Sequence, residues 1–232
     1  MNIAVILAGG SGTRLGGPLP KQFMTAAGKT ILEHTIEAFE HHARIDEIAV
    51  VIRNDYIEEA KAIVERNGYK KVRKILAGGK ERYDSSLAAI RAYTHDDDLL
   101  LLHDAVRPLV SSRIIDDCLK ALDTFRAVAV AVKTTDTIYQ VVNNGCICAI
   151  PPRSTLRNAQ TPQAFRRGTI SEAYAIALQD PDFVTTDDIG VVSRYLPHEP
   201  IYVVEGEASN IKVTYKEDLP LLERLLQERA TR

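Results

Sequence analysis

The sequence predicts an α/β fold: a mostly parallel sheet covered by helices on both faces, with a protruding β-hairpin arm. Three observations predict it. Short unbroken runs of Val, Ile and Leu, such as IAVILA (3–8) and EIAVVI (47–52), lack polar alternation and read as strands buried on both faces. Between them lie stretches whose apolar residues recur at helical spacing. One later segment, TDTIYQVVNNGCICAI (135–150), departs from this rhythm and centres on an Asn-Gly turn.

In chain order, strands are expected at 3–8, 47–52, VRKIL (72–76), DLLLLHD (98–104) and AVAVAV (127–132). Helices are expected at 30–42, 56–68, 82–93 and 112–125, the second of them ending at Asn67-Gly68. This alternation indicates a parallel sheet with crossover helices. The hairpin around Asn143-Asn144-Gly145 follows, then Pro151-Pro152. No helix covers this hairpin in sequence, so it is expected to protrude. Helices at 170–178, 187–195 and 216–229 and a strand IYVVE (201–205) complete the chain. No repeat or linker divides it, so the expectation is one domain over residues 1–232, with 134–157 as the arm.

Composition narrows the function. The chain has 232 residues, long enough to bury a sizeable core without staples. Its 29 basic and 31 acidic residues leave a net charge of −2, which gives no reason to expect nucleic acid or an anionic membrane as partner. No stretch reaches the roughly 20 apolar residues of a membrane span, and Ile3–Leu7 is too short for a signal h-region. The three cysteines, Cys118, Cys146 and Cys148, make neither a disulfide framework nor a complete zinc site and read as reduced thiols. A cytoplasmic protein is expected.

The chemistry is announced directly after the first strand. Residues 9–17, GGSGTRLGG, hold five glycines, and Arg14 and Lys21 follow seven apart. Glycines that dense cost backbone entropy. A bare loop at the carboxyl edge of a parallel sheet presents N–H groups to phosphate oxygens. Two nucleotide-loop templates fail: Leu15 stands where the dinucleotide fingerprint wants a third Gly, and the Gly-Lys-Ser/Thr ending of a P-loop is absent. What remains is a glycine loop, Arg14, and Lys21 within Pro20-Lys21-Gln22.

Downstream, Gly78-Gly79-Lys80-Glu81-Arg82 with Ser85, His103-Asp104-Ala105-Val106-Arg107-Pro108, Gln160-Thr161-Pro162-Gln163 and Asn210-Ile211-Lys212-Val213-Thr214 occur in order. Together with the glycine loop, this set resembles the cytidylyltransferases acting on ribitol 5-phosphate or 2-C-methyl-D-erythritol 4-phosphate, from residue 3 to about 220. The resemblance implies a Rossmann-like sheet of the nucleotide-diphospho-sugar transferase type. It also implies a reaction in which a polyol phosphate attacks the α-phosphate of CTP and expels diphosphate. Leu7-Ala8-Gly9-Gly10, Leu19–Phe23 and Ile150-Pro151-Pro152-Arg153 look closer to the ribitol group, whereas Thr186-Asp187-Asp188 is commoner in the methylerythritol group. Ribitol 5-phosphate is therefore the expected substrate, with methylerythritol phosphate as the alternative.

Both reactants are anions, so the protein must chiefly offset charge repulsion. Arg14, Lys21 and Lys212 are the expected catalytic cations: the first two by resemblance on the triphosphate, the third near the α-phosphate. By the same resemblance CTP contacts Ala8, Gly9, Gly10, Ser11, Gly12, Gly78, Gly79, Ser85, Asp104 and Ala105, with the cytosine near Gly78, Gly79 and Ser85. Asp104 ends a strand at the edge that carries the glycine loop. A carboxylate among phosphates suits Mg²⁺, which takes one or two carboxylates plus phosphate oxygens; the plainer reading is a helix N-cap. A phosphate nucleophile needs no general base, so His103 reads as structural. Arg82 and Asp84 read equally well as braces of their loop. The polyol phosphate maps to Asp104, Arg107, Thr137, Arg153, Thr161 and Thr186. Thr137 and Arg153 lie on the arm, which in the resembled family crosses to a second subunit, so a homodimer with shared sites is expected. A binding protein on this fold would be expected to lose Lys21, Asp104 or Lys212. A dinucleotide oxidoreductase would need the third glycine, although Asp55 offers the acidic residue after the second strand.

Overall fold

The computed structural model describes residues 1–10 and 20–231. Its centre is strand β1 (Asn2–Ala8), where side chains alternate between two cores. Ala4 and Ile6 face one, and Ile3, Val5 and Leu7 the other. A small hairpin follows, β2 (Thr25–Ala26) and β3 (Lys29–Thr30). Its two linking residues, Ala27 and Gly28, both have positive φ (46° and 82°), as the tightest hairpin turns demand. Helix α1 (Ile31–Glu40) starts with a capping box in which Thr30 and Glu33 each bond the other's backbone N–H.

Strand β4 (Glu47–Ile52), helix α2 (Ile57–Asn67) and strand β5 (Val72–Ala77) form the next crossover. Gly68 terminates α2 at φ 63°, the left-handed stop expected of Asn67-Gly68. Helix α3 (Arg82–Ala92) leads to strand β6 (Leu99–Asp104), and helix α4 (Ser112–Ala121) to strand β7 (Ala127–Lys133). The Ser111 side chain accepts from Ile114 N–H to cap α4, so Asp104 is not that helix's N-cap.

Strands β8 (Gln140–Val141) and β9 (Ile147–Ala149) form the hairpin, with Gly145 at φ 81° in its turn. Residues 135–150 are all exposed, so the hairpin protrudes as expected. Strand β10 (Arg157–Arg166), helices α5 (Arg167–Ala177) and α6 (Asp188–Tyr195), strand β11 (Ile201–Glu205) and helix α7 (Asp218–Ala230) complete the chain.

The main sheet has seven strands in the order β11-β7-β10-β6-β1-β4-β5. Every pairing is parallel except those of β10, which runs antiparallel to both β6 and β7. Helices α1, α2 and α4 cover one face, through residues such as Leu32, Phe39, Ile63 and Leu119. Helices α3, α5 and α6 cover the other, through Leu87, Ile170, Tyr174 and Val191.

In the main sheet, the sequence reading missed β10. Its sequence RNAQTPQAFR carries a proline and two glutamines, which argue against a central strand. The register against β7 shifts between Gln160 and Gln163, so Pro162 sits where the ladder is already interrupted. Both glutamines are buried and bond elsewhere. Gln160 Nε2 donates to Glu207 O, and Gln163 Oε1 accepts from the Asp188 and Ile189 N–H groups.

Candidate active site

In a parallel sheet the loops after the strands collect at one edge, and the chain changes direction where β1 meets β6. At such a switch point open α/β sheets hold their ligands. A cavity of about 700 Å³ opens there. Its walls are the ends of β1 (Ala8–Gly10), β4 (Arg53–Asp55), β5 (Gly78–Lys80) and β6 (Asp104–Val106), with Lys21, Gln22, Arg82, Ser85 and Lys212.

The two glycine segments are held bare by one serine. A Cβ on Gly9 would sit 2.7 Å from Ser85 Oγ, and one on Gly78 would sit 2.6 Å from it. Ser85 is therefore wedged between the ends of β1 and β5, and both backbones remain open to the cavity. Gly79 is equally constrained, because a Cβ there would meet Asp84 Cβ at 2.3 Å. Asp84 itself accepts from Glu81 N–H at 2.9 Å, bracing the start of α3.

The cations arrive from separate parts of the chain. Gln22 is buried and donates to Ala8 O at 2.8 Å, tying the Lys21–Phe23 turn to the end of β1. Lys21 lines the cavity beside it, and its Nζ donates to Thr214 O at 3.2 Å. Lys212 sits between two anchors. Buried Asn210 donates to Thr161 O at 2.9 Å, and Val213 N–H donates to Val106 O at 2.9 Å. Lys212 Nζ donates to Asp104 Oδ2 at 2.8 Å. Arg107 Nε stands 3.7 Å from the same oxygen, and Arg82 Nη2 stands 3.8 Å from Oδ1. Burial pushes the Asp104 pKa up, but Lys212, Arg82 and Arg107 outweigh it and hold the carboxyl below its usual range.

His103 is fully buried behind Asp104, and desolvation pushes its pKa down to about 4. The Thr161 hydroxyl accepts from Asp104 N–H at 3.1 Å and lies 2.9 Å from His103 Nδ1. Nε2 of His103 lies 2.9 Å from Arg107 O, which can only accept, so the neutral ring donates there. A neutral ring with both nitrogens committed has no role as a base, in line with the structural reading.

Of the residues expected from the sequence, the cavity wall brings together Ala8, Gly9, Gly10, Lys21, Gly78, Gly79, Ser85, Asp104, Ala105 and Lys212. Ser11, Gly12 and Arg14 lie outside the described residues. The expected polyol-phosphate residues are placed differently. Arg107 is turned inward, donating to Asn210 O at 2.8 Å and Ala159 O at 3.3 Å, and Thr161 is buried with its hydroxyl engaged as above. Both form the layer behind Asp104. Thr137 and Arg153 stand on the exposed arm, and Thr186 is exposed ahead of α6. None of these five lines the cavity. The sequence reading missed Gln22, whose place in Pro20-Lys21-Gln22 was the available signal, and the wall residues Arg53, Asn54 and Asp55.

A glycine-lined, cation-rich cleft at the switch point of a parallel sheet suits the phosphates of a nucleotide, as a nucleotidyltransferase requires. The profile of the 2-C-methyl-D-erythritol 4-phosphate cytidylyltransferase family matches residues 2–228. The enzyme of that name from Thermobifida fusca (strain YX) is 48% identical over 230 residues, covering 97% of this chain and 92% of the relative. The crystal structure of 4-diphosphocytidyl-2C-methyl-D-erythritol synthase from Anaerococcus prevotii DSM 20548 superposes with a TM-score of 0.86, at 32% identity and 98% coverage of both chains. A bifunctional ribulose 5-phosphate reductase/CDP-ribitol pyrophosphorylase from Haemophilus influenzae is 43% identical over 232 residues, but this chain spans 49% of it. The chain belongs to the 2-C-methyl-D-erythritol 4-phosphate cytidylyltransferase family, and is a CTP-dependent nucleotidyltransferase of the cytidylyltransferase class. The likenesses favour methylerythritol over ribitol, reversing the order expected from Leu7–Gly10 and Ile150–Arg153.

Proposed function

We propose that the protein transfers the cytidylyl group of CTP to 2-C-methyl-D-erythritol 4-phosphate. A phosphate oxygen of the polyol phosphate attacks the α-phosphorus, forming the new P–O bond. The bond from the α-phosphorus to the bridging oxygen breaks, and diphosphate leaves with that electron pair. The observation that carries the reading is the convergence of Gly9–Gly10, Gly78–Gly79, Lys21, Lys212 and Asp104 on one cavity, in a chain 48% identical to an enzyme named for this reaction. The glycine segments offer backbone donors, while Lys21 and Lys212 offset the charge that builds up between two anions. Arg14 is assigned to the triphosphate with them.

The donor set also fits Mg²⁺. Asp104 is an ionised carboxylate on the cavity wall, and among the described residues Oδ1 has no hydrogen bond, only Arg82 at 3.8 Å. One carboxylate plus triphosphate oxygens is a usual Mg²⁺ environment. Bound there, Mg²⁺ would supply Lewis-acid charge neutralisation of the triphosphate.

The exposed arm completes the proposal. Ile138, Val141, Val142, Ile147 and Ile150 are between 42% and 59% exposed, which is costly for a hairpin standing alone in water. We infer a homodimer in which the arm carries Thr137 and Arg153 to the partner's site.

A second reading, transfer to ribitol 5-phosphate, draws on the Haemophilus influenzae relative. The test is diphosphate release from CTP and Mg²⁺ with each polyol phosphate in parallel. Methylerythritol phosphate should give a kcat/KM at least about tenfold higher. The reverse order would establish the ribitol reading, and no release with either would overturn both.

A further inference from the structure

Among the wall cations that have no part in the chemistry above, Arg82 is held in an unusual way. Arg82 opens α3 and lines the cavity, yet its guanidinium is fastened from behind. Its Nη1 donates to Oδ2 of Asp188, the first residue of α6, which has no solvent exposure. Asp188 is itself held firmly. Its Oδ1 accepts from Tyr174 Oη at 2.6 Å, and its N–H donates to Gln163 Oε1 at 3.0 Å. Burial works against the charge on Arg82, but Asp188 and Asp104 outweigh it and raise its pKa above the ordinary arginine value.

The two carboxylate oxygens of Asp104 therefore face unlike partners. Lys212 on Oδ2 has a side chain 47% exposed on a loop, while the Asp104 side chain is only 12% exposed. Arg82 on the Oδ1 side is fixed through two helices. Arg107 approaches Oδ2 as well, but its terminal nitrogens are already given to the carbonyls of Asn210 and Ala159. Stripping the counter-charge from a buried carboxylate is strongly destabilising. A lysine that must serve both Asp104 and a phosphate can move only if something else stays.

We propose that Arg82 is a positioning residue: clamped by Asp188, it holds Asp104 in place and compensated while Lys212 turns from Asp104 to a substrate phosphate. The destination of Lys212 rests on the cytidylyltransferase reading; the hold on Asp104 does not. Arg82→Gln should lower kcat at least about 30-fold with KM for CTP within about threefold, because the interaction acts in the transition state rather than in nucleotide binding. Arg82→Lys should recover part of the loss, since it keeps the charge but lacks the planar fork. Asp188→Asn should shift kcat in the same direction as Arg82→Gln. A fall in melting temperature with kcat unchanged would make Arg82 a brace of the fold. A raised KM with kcat unchanged would make it a substrate contact. Either result overturns the proposal. A crystal structure of nucleotide-free Arg82→Gln gives a readout independent of activity. The Asp104 carboxylate should move by about 1 Å or more, a displacement large enough to cost catalysis. An unmoved carboxylate overturns the proposal even if wild-type protein turns over neither polyol phosphate.

Discussion

Glu33 and Asp104 are both buried carboxylates with cationic partners, and they are built to opposite ends. Glu33, in the first turn of α1, is saturated. Its Oε1 accepts from Arg66 at 2.9 Å and Asn67 at 2.8 Å, and its Oε2 accepts from the N–H and hydroxyl of Thr30 at 2.7 Å each. Four donors fill the four acceptor sites of a carboxylate. Asp104 has three cations around it but one short hydrogen bond, from Lys212, with two arginines standing off at 3.7 and 3.8 Å. A saturated carboxylate ties elements of the fold together. An unsaturated one facing a cavity has acceptor capacity left for something that enters. The count of donors, more than burial, separates the structural acid from the functional one.

The largest expected effect tests the functional side of that contrast. Chelation of divalent cations should abolish diphosphate release, and added Mg²⁺ should restore it. Asp104→Asn should lower kcat at least about 100-fold at every Mg²⁺ concentration, with little change in melting temperature, since the side chain supplies few of the fold's hydrogen bonds. Full turnover in excess chelator would remove Mg²⁺ from the mechanism. A collapse of stability in Asp104→Asn with normal residual activity would place Asp104 in the same class as Glu33.

The next effect contrasts the enclosed cavity with the open arm. Lys21→Ala, inside the cavity, and Arg153→Ala, on the arm, should each leave almost no activity. If Arg153 serves the partner's site, equal amounts of the two variants allowed to exchange subunits form heterodimers with one intact site each. Random pairing makes half the dimers mixed, so activity should return to about a quarter of wild type. Confirmed exchange with no recovery would mean that Arg153 serves its own chain, and the crossing arm would be wrong.

Legibility from sequence follows the same division between local and distant causes. Strands β1, β4 and β6 are readable because burial on both faces leaves unbroken apolar runs. Parallel connection then puts Gly9, Gly78 and Asp104 on one edge before any coordinates are known. The Thr30–Glu33 capping box is equally local. Strand β10 is hidden because its ladder is interrupted at Pro162 and its glutamines bond to partners about 25 and 47 residues away. The Arg82–Asp188 clamp spans 106 residues, and no spacing rule reaches that far. Motifs single out Arg107 and Thr161 in the chain. They did not say which way the side chains turn, and both turn inward.

The smallest expected effect tests the structural side, at Glu33. Its side chain is 6% exposed. Burial would raise its pKa, but hydrogen bonds from Arg66, Thr30 and Asn67 outweigh it and hold the group at about 2, against an ordinary 4.5. The folded pKa is depressed, so the stabilisation is fully present above the unfolded value and is lost as pH falls from about 4.5 toward 2. At about 1.4 kcal/mol per unit, it amounts to at most about 3 kcal/mol at pH 7. Glu33→Gln puts an amide against donors that need an acceptor, and should lower stability by about 2 kcal/mol at pH 7 in urea denaturation. The gap from wild type should have closed by more than roughly half at pH 3, because the unfolded chain takes up the proton first. Activity at pH 7 should be unchanged, since Glu33 lies on α1 and does not line the cavity. A stability gap that stays constant between pH 7 and pH 3 would mean that packing, rather than the ionised carboxylate, holds α1 to α2, and saturation would no longer distinguish the two acids.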